Sequence, residues 1–139
     1  MDMAQHRLPG GKAPSLDDIE VIARAAFADL AAEFREACGD VVFKVEDFPS
    51  AEVVEVMGLE SEFDIMGLFQ GMGRAQAGDA QSGEMPNMIW LYRRPILDYW
   101  AEFDETLEAI VAHVLIHEIG HHVGFSDEDM ERLEAEAGA

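Results

Sequence analysis

Cysteine is almost missing from this chain. Cys38 is the only one among 139 residues, so no disulfide can form within it. Positive charge is scarce as well: nine Lys and Arg stand against twenty-nine Asp and Glu, for a formal net charge of −20. Such a balance argues against binding to a phosphate backbone and repels the chain from anionic membranes. Long apolar runs are also lacking, and nothing in the first twenty residues has the length or character of a signal peptide or a membrane span. These absences make the cytoplasm the expected location and leave neither nucleic acid nor membrane as a partner. They say nothing of oligomeric state. The length predicts one domain with a core large enough to fold alone.

What is present is concentrated near the end, in His117-Glu118-Ile119-Gly120-His121-His122-Val123-Gly124-Phe125-Ser126-Asp127. On a helix, His117 and His121 lie one turn apart on one face, about 6 Å along the axis, so two imidazoles can grip one ion. Glu118 is rotated off that line and is free to serve as a base toward water activated by the ion. Gly124 can take the left-handed conformation that ends a helix and turns the chain back, which places Asp127 to complete a His/His/Asp set. One zinc ion held by three such ligands keeps an open position, as catalytic sites do. Structural zinc is usually closed by four ligands, with cysteines prominent, and here Cys38 is far away in sequence.

His117 to Asp127 reads as HExxHxxGxxD, which resembles the zinc signature of the zincin metallopeptidases, in the extended form used by metzincins but with Asp in place of the commoner His. The small size, the Phe69-Gln70-Gly71 and Leu91-Tyr92-Arg93-Arg94-Pro95 segments, and the motif close to the C-terminus are similar to a bacterial family of minimal zincin-like proteins. The resemblance covers roughly residues 15 to 137. The chain departs from metzincins in one respect: only twelve residues follow Asp127, and Met130 comes too soon for their methionine turn, so the floor of the site must be built differently. In zincins an edge strand beside the metal binds extended peptide. The resemblance therefore implies a shelf for a peptide or unfolded-protein substrate, either on the strand expected at 88–93 or on the one at 64–70.

Plainer readings stand beside these. Histidines on one helix face can be packed against carbonyls. Ser126-Asp127-Glu128-Asp129 also reads as the cap and acidic first turn of a following helix, which would occupy Asp127. His113 precedes His117 by one turn and reads as a packed or supporting residue rather than a ligand, because a third ligand there would sit about 6 Å too far along a straight helix. His122 points about 100° from His121 and reads as a core or surface residue.

Residues 1–14, with Pro9, Gly10, Gly11 and Pro14, read as a flexible leader before a single domain at 15–139. Ser15 and Asp18 suggest a cap, and apolar positions from Ile19 to Phe34 predict one long amphipathic helix that Gly39 stops. Val41–Glu46 reads as a strand and 51–57 as a short helix. Residues 63–71 read as a second strand, with glycines that mark a bulge or the close approach of another backbone. Residues 71–86 read as a mobile flap within reach of the metal or as a dangling loop. Met88–Arg93 is the third strand, followed by a short helix that includes Tyr99. Thr106–Val123 is expected to be the motif helix, and 126–137 a final helix with Met130 and Leu133 inward. The fold class is α+β: a small mixed or antiparallel sheet of three to four strands packed against the long N-terminal helix and the motif helix.

The chemistry these expectations imply is hydrolysis of peptide bonds, with Glu118 moving the proton. Tyr92, Arg93 and Tyr99 are candidates for binding substrate or the developing oxyanion. The competing expectation is a zinc-binding interaction or regulatory protein on the same scaffold, with little or no proteolysis.

Overall fold

The computed structural model describes residues 11–71 and 87–137, with the side chains of His121 and Ala137 excepted. Ser15 opens the first helix, α1 (Leu16–Asp29), through a reciprocal cap: its hydroxyl accepts from the Asp18 N–H at 3.0 Å, and the Asp18 carboxylate accepts from the Ser15 N–H at 2.9 Å. The single long helix expected here is in fact two. Leu30 takes an extended backbone (φ −72°, ψ 159°), and a second helix, α2 (Ala32–Cys38), follows. The break contains no glycine or proline. Tertiary packing drives it: Leu30 is buried, its carbonyl accepts from the Arg35 side chain at 2.9 Å, and Phe34 is fully buried.

Strand β1 (Val41–Glu46) and helix α3 (Ala51–Val56) fall where the β-branched run and the Ser50 cap put them. Strand β2 is shorter than expected, Gly67–Gln70 rather than 63–71. The residues before it form turns, with the Asp64 carboxylate accepting from the Ser61 N–H and Phe63 packed edge-to-face on Phe48. Strand β3 (Asn87–Tyr92) runs directly into α4 (Arg93–Glu102).

Among the described residues the sheet has three strands in the order β1-β3-β2, with β1 parallel and β2 antiparallel to β3. β3 is therefore paired on both sides and cannot offer a free edge, which leaves β2 as the candidate shelf. Gly67 in β2 lies against the motif helix; a Cβ there would come within 2.7 Å of Val114 Cγ1 and 3.0 Å of the Trp90 carbonyl oxygen. The glycine thus serves close approach.

The motif helix, α5 (Leu107–Ile119), starts at Thr106, whose hydroxyl accepts from the Ala109 N–H. Eight of its thirteen residues are buried. A helix apolar on nearly all sides belongs in the interior, and each large aliphatic side chain buried there contributes roughly 1.5–3 kcal/mol. It packs against α1, α4 and β3 and shares one buried core with Ile19, Ala23, Ile89, Leu91 and Ile96 of those elements. The expected α-helix to Val123 stops at Ile119, and Gly120–Val123 wind on as a tighter 3-10 turn. The last helix, α6 (Asp127–Ala137), buries Met130 and Leu133 as expected. Among the described residues no helix is long and apolar enough to cross a membrane. Of the flap expected at 71–86, residues 72–86 lie outside the described residues.

Candidate metal centre

Because α5 is buried on most sides, its polar residues have few outlets. His113 and His117, one turn apart, share one of them: both side chains are about half exposed, and the rings stack with centroids 4.2 Å apart. Glu118 follows on the neighbouring face and is half-buried. Its pKa is raised, chiefly by burial, against an opposing pull from His113. A carboxylate held above its ordinary range is a better proton acceptor, which is what a general base needs.

Beyond Ile119 the chain is steered by two glycines. Gly120 gives its place to the last helix, since a Cβ there would lie 2.7 Å from the Met130 sulfur and 2.9 Å from its Cγ. Gly124 takes φ +97°, the left-handed turn its sequence position implied, and the Phe125 N–H returns to the Gly120 carbonyl at 3.0 Å. Phe125 is then clamped edge-to-face on Phe34 of α2, and the His122 ring lies against Phe69 of β2. The cap of α6 is a reciprocal pair between Ser126 and Asp129. Asp127 is the first residue of that helix and is exposed. His121 stands in the 3-10 turn, and its side chain lies outside the description.

The structure gathers one further residue. Glu134 of α6 reaches across to α5, where one carboxylate oxygen meets His113 Nδ1 at 3.1 Å and the other meets His117 Nε2. The donor atoms of His113, His117 and Glu134 all lie within 4.8 Å of one another, and two imidazoles with a carboxylate are a fitting set for zinc. Glu134 is not among the candidates the motif supplies, although the sequence carries a signal for it. Met130 and Leu133 mark the inner stripe of α6, and Glu134 adjoins Leu133, four residues past Met130.

Of the other candidates, Tyr92 is 2% exposed. Its pKa is raised by burial first and then by the charges of Glu118 and Glu46, so its hydroxyl stays protonated and able to donate. It also lines a cavity of about 630 Å³ between the sheet and α3, whose walls include Trp90, Leu68, Val53 and Met57. Arg93 is directed elsewhere, donating to the Pro14 carbonyl and to Asp47. Tyr99 packs against Phe103 within α4 and the turn after it.

No curated protein matches the chain. A match to a family does emerge, over residues 38–137, the stretch that holds the sheet, the motif helix and α6; its description is zincin-like metallopeptidase. With most of its length covered by that match, the chain belongs to the zincin-like metallopeptidase family.

Proposed function

We propose that the protein is a zinc-dependent peptidase whose ion is held by His117, His121 and Asp127 and whose general base is Glu118. The observation that carries this reading is the half-buried Glu118, its pKa raised, immediately after an imidazole that faces solvent on the same helix. Zinc bound there supplies Lewis acidity, acidifying water and polarising a peptide carbonyl. Glu118 would take the proton as the C–O bond forms and return it to the leaving nitrogen as the C–N bond breaks. The Tyr92 hydroxyl, protonated at neutral pH, is the donor of suitable chemistry for the oxyanion. An extended peptide would add to β2, which is an outer strand among the described residues and lies against α5 at Gly67.

The second reading, a zinc-binding interaction protein without efficient hydrolysis, is favoured by the small domain. A screen of short and unfolded peptides with zinc-loaded protein and its Glu118→Gln variant separates the two. Cleavage lost in the variant supports the peptidase, while bound zinc without cleavage in either protein supports the binding module.

A further inference from the structure

Three features outside the motif invite a function: the cavity beside Tyr92, the half-exposed Trp100 near the turn after α4, and the Glu134 cluster. The cluster carries the furthest. We propose that His113, His117 and Glu134 form a second position for a divalent cation, one helical turn before the motif pair, with His117 common to both. The proposal goes beyond the motif site and rests on it only through that shared residue.

The geometry is specific. His113 and His117 have the same four-residue spacing as the motif histidines, and both lie within the α-helical span of α5, before the 3-10 turn begins. Glu134 comes from a different helix and offers one oxygen to each ring. Its approach is fixed by packing, because Leu133 beside it is 1% exposed and Met130 one turn earlier fills the space that Gly120 leaves open. All three side chains are partly exposed, so an ion can enter from solvent. Ligand atoms around a tetrahedral zinc sit roughly 3.3 Å apart, so a spread of at most 4.8 Å needs only small side-chain rotations to close.

The donor set also selects the ion. Two imidazole nitrogens and one carboxylate suit zinc, cobalt or nickel, whereas magnesium and calcium want oxygen ligands. Without a cation the same three groups make hydrogen bonds, each ring nitrogen donating to the ionised carboxylate. The test must therefore separate a ligand from a hydrogen-bond acceptor.

The test is a cobalt(II) titration of the full chain, followed by equilibrium dialysis and the visible spectrum of the bound ion, on the parent, His121→Ala, Glu134→Gln and the double variant. Circular dichroism checks folding, which Glu134→Gln should preserve, since the amide keeps the size of a partly exposed side chain. Disabling the motif pair with His121→Ala should leave one cobalt bound, and adding Glu134→Gln should then weaken binding at least tenfold. His113→Ala in the same background should match that loss. Equal cobalt binding by His121→Ala and the double variant, whether strong or nil, overturns the second position. A different result sinks the motif reading instead: His121→Ala binding like the parent while Glu134→Gln alone loses the ion would leave this position as the sole one.

Discussion

The Glu134 carboxylate lies against Nε2 of His117, so the first motif histidine is engaged by a side chain seventeen residues further on in the sequence. Any ion that takes this nitrogen must displace or recruit Glu134. His117 is therefore the residue common to both proposed cation positions.

His117→Ala should abolish binding of zinc and cobalt, whereas His121→Ala and Asp127→Ala should weaken it. Dialysis against graded zinc, with content read by mass spectrometry, checks the ranking; full zinc retention by His117→Ala would exclude it from both sites. Removing metal from the parent with a chelator should lower the melting temperature only modestly. The apolar packing around α5 should hold the fold without an ion, unlike a zinc finger.

Glu118→Gln should keep the metal and lose hydrolysis by about two to four orders of magnitude. It should also change how stability follows pH. Burial raises the Glu118 pKa in the folded chain, so the folded state holds that proton more tightly than the unfolded one. The resulting stabilisation is complete below the ordinary carboxylate range and is lost as pH rises through the raised value. Metal-free Glu118→Gln should therefore be more stable than the metal-free parent at neutral pH and equal to it in acid, as denaturant melts at the two pH values would read.

Tyr92→Phe keeps the apolar ring and removes the donor. If the hydroxyl serves the oxyanion, turnover should fall by about a hundredfold with zinc content unchanged. A variant as active as the parent would assign Tyr92 to packing alone.

Gly67→Ala should destabilise the fold by about 1–3 kcal/mol, because the new methyl meets Val114 and the backbone carbonyl of Trp90, and a backbone atom cannot swing aside. Chemical denaturation measures this. Peptide affinity should drop in the same variant, since β2 must retreat from α5.

Local chemistry explains which parts of this arrangement could be read in advance. Val41–Glu46 announced itself through β-branching, Ser15 and Ser126 through their capping partners three residues on, and Gly124 through its place after the histidines. What stayed hidden depends on contacts distant in sequence. The break at Leu30 keeps the apolar spacing intact on both sides, so periodicity alone runs straight through it. The late start of β2 follows from where β3 offers partners, Leu91 facing Gly67. The family was legible because the motif is a run of adjacent residues. Glu134 was not, because its role depends on how α6 lies across α5.

Met130 is 3% exposed, and its thioether occupies the space Gly120 leaves beside the 3-10 turn. Conversion to the sulfoxide would add an oxygen and a strong dipole where there is room only for a soft, apolar sulfur. The helix it anchors carries both Asp127 and Glu134. Oxidation of this one buried atom would thus loosen two carboxylates at once.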